Sequence, residues 1–182
     1  MVTLLVVYES MFGATRAVAE AIAEGASEVA TVQLRRADAV QPEEIAAADV
    51  LVVGAPTHAH SLPRPESRKT AEEWGRDEAK GLHFEADPSG DGVRELLKTL
   101  PPTKAVTAAF DTRADMPEIF AGSAARGIAK RLAKQGLKPV TRPQSFLVEK
   151  TGALLDGELE HAWHLGHSIA SAALHGREAV PA

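Results

Sequence analysis

A chain of 182 residues, 45% hydrophobic and 25% charged, is long enough for one well-buried core and has the composition of a single soluble globular domain. Its net charge of −5, with no basic run interleaved with aromatics, argues against a nucleic-acid partner. The absence of cysteine excludes disulfides, thiolate catalysis and cysteine-based metal sites.

Strong apolar runs alternate with amphipathic stretches along the chain, the signature of a parallel sheet covered on both faces. Residues 2–8 read as the first strand, and 15–24 as a helix with Val18, Ala19 and Ile22 on its apolar stripe and Gly25 as C-cap. A second strand is expected over 29–34, a short helix over 42–48 and a near-continuous apolar strand over 50–54. Residues 66–76 read as a polar helix, 81–92 as a surface loop, and 93–100 as a helix stopped by Pro101-Pro102. The fourth strand is expected over 105–110, a helix over 123–135 ended by Gly136, and a fifth strand around 146–148, bent near Pro143. The last helix spans 159–174, burying Leu159, Ala162 or Trp163, Gly166, Ile169 and Ala173, and residues 177–182 read as a tail behind one domain of 1–176. No stretch approaches a membrane span, and no basic leader precedes the first strand, so a cytoplasmic location is expected.

The chemistry concentrates at the first strand-to-helix turn. Val6, Val7 and Tyr8 lead into Ser10, with Gly13, Thr15, Ala19 and Ile22 following. A helix N-terminus attracts phosphate through unpaired N–H groups, Gly13 lets the backbone approach a ligand, and Ser10 and Thr15 add hydroxyls. The turn lacks the Gly-Lys-Ser/Thr of triphosphate loops and the G-x-G-x-x-G of dinucleotide folds. Without cysteine it is no phosphatase loop of the low-molecular-weight type. The plainer reading of the same residues is a helix cap and a turn.

This pattern resembles the phosphate-binding loop of flavodoxins, which hold flavin mononucleotide (FMN). The resemblance continues in Gly54-Ala-Pro-Thr-His after the third strand, similar to the loop that runs along the flavin ring, and more weakly in Phe110-Asp-Thr-Arg after the fourth. It implies a three-layer α/β/α sandwich around a five-stranded parallel sheet of order 2-1-3-4-5. It also implies FMN contacts at Ser10, Met11, Phe12, Gly13, Ala14 and Thr15; at Pro56, Thr57, His58, Ala59 and His60; and at Asp111, Thr112 and Arg113. The aromatic usual in the third loop is missing, with none until Phe120, so the outer ring face is expected to be open or covered by an aliphatic side chain.

The flavin carries the chemistry in such proteins, so no catalytic residue is expected, and the function implied is electron transfer between redox partner proteins. A quinone-type reductase using NAD(P)H is the alternative, favoured by the open ring face and by a basic cluster, Arg64, Arg68 and Lys69, able to meet a nucleotide phosphate. A module that kept the fold but lost flavin is a third reading. A cationic His58 or His60 beside the flavin would stabilise its reduced form. His161, His164 and His167 approach metal-ligand spacing, but no acids complete the set, so no metal is expected. Trp74 and Trp163 are expected to be packing residues outside the ligand loops.

Overall fold

The computed structural model describes residues 1–58, 60–77, 82, 84–85, 90–149 and 151–178. Five parallel strands, β1 (Thr3–Tyr8), β2 (Thr31–Arg36), β3 (Val50–Pro56), β4 (Val106–Ala114) and β5 (Gln144–Val148), form one sheet of order β2-β1-β3-β4-β5. The helices are α1 (Ala14–Ser27), α2 (Pro42–Ala47), α3 (Pro65–Arg76), α4 (Val93–Leu96), α5 (Glu118–Ala121), α6 (Ala124–Lys134) and α7 (Glu158–Glu178).

Strand side chains alternate between the two faces, and the sequence is apolar at both phases. Leu4, Val6, Val52, Phe110 and Phe146 pack with Val18, Ile22 and Ile169 of α1 and α7. Leu5, Val7, Leu51 and Val53 pack on the other face with Ile45, Val93, Ile128 and Leu132 of α2, α4 and α6. The result is the expected three-layer sandwich.

Several boundaries differ from the sequence reading. Gly25 is no C-cap but a buried residue inside α1, where a Cβ would come within 2.0 Å of the Trp163 carbonyl oxygen. A Cβ on Gly166 would likewise come within 2.0 Å of the Ile22 carbonyl oxygen, so the two glycines let the α1 and α7 backbones approach closely. Leu159 is exposed, because the inward face of α7 is carried by Ala162, Ile169 and Ala170. That helix runs on to Glu178, through the start of the expected tail. Helix α3 is less polar in effect than it reads, since Arg68 and Ala71 are buried. Residues 78–81, 83 and 86–89 of the expected 81–92 loop and its approach lie outside the described residues.

The fourth strand is longer than its apolar run. Pairing with β5 from Phe110↔Gln144 to Ala114↔Val148 carries β4 through Asp111, Thr112 and Arg113, so these three are strand residues and not a loop. The connection that leaves the sheet starts at Asp115, whose N–H still bonds the Val148 carbonyl at 3.0 Å. Sheet order reverses between β1 and β3, where an open parallel sheet leaves a crevice beyond its carboxyl ends.

Candidate functional site

Register brings the strand ends together. Tyr8 lies opposite Gly54, and Pro56 opposite Thr112. Two bonds extend this pairing into the loops, Glu9 N–H to the Gly54 carbonyl at 3.0 Å and Thr57 N–H to the Thr112 carbonyl at 2.8 Å. The loop before α1 turns at Gly13, whose φ of 93° lies in the left-handed region that a Cβ disfavours. Ser10 Oγ accepts the Gly13 N–H at 3.1 Å and closes the turn.

A cavity of about 330 Å³ opens at this crevice, within the size range of small-molecule sites. Met11, Phe12, Ala14 and Thr15 line it from the first loop, Pro56, Thr57 and His58 from the second, and Thr112, Arg113 and Ala114 from the end of β4. Ser10 lines a neighbouring cavity of about 280 Å³ together with Tyr8, Glu9, Arg16, Arg68 and Glu85. His60, exposed and at a φ of 66°, does not line the larger cavity, and neither does Asp111. Ala59 lies outside the described residues.

Buried polar groups hold the floor. Asp111 is fully buried, and its Oδ2 accepts from Thr57 Oγ1 at 2.9 Å, Ser123 Oγ at 2.7 Å and the Ala125 N–H at 2.8 Å. Thr57 Oγ1 in turn accepts the Ala124 N–H at 2.8 Å. The Asp111 side chain is thus tied to the second loop and the start of α6. The Thr15 and Thr112 hydroxyls bond each other at 2.7 Å and lock the first loop to β4. Arg113 Nη1 donates to the Met116 carbonyl at 2.6 Å, while its buried Nε has no partner. A buried donor left open beside a cavity calls for an acceptor from a ligand or water.

The cavity also has an aromatic lining residue from outside the three loops. Trp74 lies outside the ligand loops, on α3, and packs on His58 with ring centroids 5.8 Å apart, and it also lines the cavity. The signal was in the sequence: Trp74 continues the three-residue stripe of the buried Arg68 and Ala71. Leu82, Val148, Glu149 and Gly152 complete the lining without a local pattern to announce them. Burial pulls the His58 imidazole below its ordinary 6.5, against a smaller opposing pull from Glu9.

The basic cluster also resolves differently. Arg64 and Lys69 are exposed, but Arg68 is buried between two carboxylates, with Nε 2.8 Å from Glu9 Oε1 and Nη2 2.6 Å from Glu95 Oε2. Glu9 also accepts the Val93 N–H at 2.9 Å, and Glu95 the Gly92 N–H at 3.1 Å. This network ties the end of β1 to α3 and α4. Three of the four histidines of α7 each lie beside a glutamate instead: His161 3.7 Å from Glu158, His164 3.7 Å from Glu160, and His167 3.9 Å from Glu28. Among the described residues no group of three metal-ligating side chains converges.

The flavodoxin family model matches residues 6–112, from the middle of β1 to the cavity edge of β4. The chain belongs to the flavodoxin family. Among solved structures, a flavodoxin from the domain Archaea is similar at 23% identity and a TM-score of 0.65, over 95% of this chain and 99% of that one. Flavodoxin 1 from Bacillus cereus is similar at 17% identity and 0.63, over 93% and 97%. Rubredoxin oxygen:oxidoreductase from Desulfovibrio gigas matches at 20% and 0.62, over 98% of this chain but 37% of that larger one. At such identities the likeness is one of fold. No curated protein sequence matches. Among the described residues, no helix of this flavodoxin-family chain is long and apolar enough to cross a membrane.

Proposed function

We propose that this chain binds FMN and serves as an electron carrier between redox partner proteins. The observation that carries the reading is the cavity at the sheet reversal, lined at once by the first loop, by Pro56, Thr57 and His58, and by Thr112 and Arg113. The residues fit the group. The left-handed Gly13 turn before α1 suits a phosphate, and the open Arg113 Nε–H suits an acceptor on the ring. Bound FMN would supply the redox-active ring, while the chain binds it, orients it and excludes water. His58 and Trp74 provide the aromatic surface against which a ring can lie. A cavity kept with this lining also speaks against a module that has lost its ligand.

The test is to add FMN to purified protein and record its visible spectrum and fluorescence. A shifted spectrum with quenched emission supports the reading; no binding at micromolar FMN sinks it. The reductase alternative has lost one support, because the buried Arg68 is committed to Glu9 and Glu95 and leaves Arg64 and Lys69 as the exposed part of the cluster. Steady-state oxidation of NADPH with a quinone separates the two, since a carrier alone turns over almost none.

A further inference from the structure

Helix α1 begins against its own dipole. Its first turn contains Arg16 and no acid, at the helix end whose unpaired N–H groups already carry positive partial charge. Two carboxylates compensate. Arg16 Nη1 donates to Glu20 Oε1 at 3.1 Å, one turn along the helix. The other edge of the guanidinium meets Glu85 in a two-pronged pair, Nη2 to Oε1 at 2.6 Å and Nε to Oε2 at 3.2 Å. Glu85 is anchored by its main chain, its N–H donating to the Met11 carbonyl at 2.8 Å. Its carboxylate lies on the turn itself: a Cβ added to Gly13 would stand 3.1 Å from Glu85 Oε1. An anion is thus already seated against the loop, and the protein supplies it.

We propose that Arg16 is the countercharge for a phosphomonoester bound at this loop, and that Glu85 competes with the ligand for it. The inference rests on the FMN reading and deepens it. A guanidinium fork that pairs two-pronged with a carboxylate pairs equally well with two phosphate oxygens. The segment from Glu9 to Ala17 contains no other cation. Arg16 therefore discriminates FMN from riboflavin, which lacks the phosphate, and Glu85 sets how tightly FMN is held. The Arg16 side chain is 44% exposed and that of Glu85 31%, so the pair adds little to stability and either residue can be replaced in a folded protein.

The full chain and its Arg16→Gln, Glu85→Gln and doubly substituted variants are titrated with FMN and riboflavin by flavin fluorescence. Inorganic phosphate alone is titrated by the Gly13 amide resonance. Arg16→Gln is expected to weaken FMN about tenfold, the worth of one charge-assisted hydrogen bond, with riboflavin nearly unchanged. Glu85→Gln tightens FMN severalfold, and the double variant binds like Arg16→Gln. Equal losses for FMN and riboflavin in Arg16→Gln, or unchanged FMN binding in Glu85→Gln, overturn the proposal. If the wild type binds neither flavin, the FMN reading fails, and phosphate still decides this one. A Gly13 shift that Arg16→Gln abolishes upholds the anion site, and no shift refutes it.

Discussion

Replacing Arg68 with Met keeps most of the side-chain length and removes the guanidinium between Glu9 and Glu95. Glu9 is 8% exposed and Arg68 4%, so the Glu9 carboxylate would stay behind in a buried place with the Val93 N–H as its remaining bond. Removing one member of a buried ion pair costs about 3–5 kcal/mol, mostly the desolvation of the charge left unpaired. For a chain of 182 residues, each kcal/mol moves the melting temperature by about 2–4 °C, so a fall of roughly 6–20 °C is expected. The assay is thermal unfolding followed by far-UV circular dichroism. Adding Glu9→Gln to Arg68→Met removes the unpaired charge, keeps an acceptor for Val93, and should restore more than half of the loss. A melting temperature within about 2 °C of wild type in Arg68→Met refutes the account, because that lies below the cost of any buried unpaired charge. A double variant no more stable than the single one refutes it equally.

Glu95 gives the network a pH signature: burial opposes its ionisation, but Arg68 and the Gly92 N–H outweigh it and hold the carboxyl below its ordinary 4.5. Its stabilisation is full above that value and is lost as pH falls through the depressed one, so urea midpoints measured down to about pH 3 should fall more steeply in wild type than in Glu95→Gln. His58 should titrate below 6.5 in a ring-proton NMR series of the protein without flavin, because burial disfavours its charged form; a titration midpoint above 6.5 contradicts this. Trp74→Ala should weaken FMN and riboflavin alike by about tenfold, the order of an aromatic contact, with loss of quenching; unchanged binding would place Trp74 off the ring.

The sheet and the two better-defined loops were legible because their causes are local. Near-continuous apolar runs make β1 and β3, and the Ser10-to-Thr15 turn and Pro56-Thr57 lie beside them in the chain. Strand β4 reads shorter from the sequence than it is because Asp111 and Thr112 look like loop residues; only their pairing partners on β5, and the bonds to Thr57 and Thr15, explain polar side chains inside a strand. Gly25 reads as a stop signal until a second helix backbone is laid against it.

The sequence by itself determined the strand order's ingredients, the phosphate-type turn and the position of the cavity at the carboxyl ends of the strands. Tertiary structure alone decided which charges are spent and which face the site. Arg68 finds Glu9 across 59 residues, Arg16 finds Glu85 across 69, and Trp74 reaches His58 from the following helix. Helical and strand periods relate residues two to four apart, so they rank a side chain as inward or outward but cannot name its partner. That choice belongs to the sheet order, which sets distant segments side by side and lets burial and charge pair them.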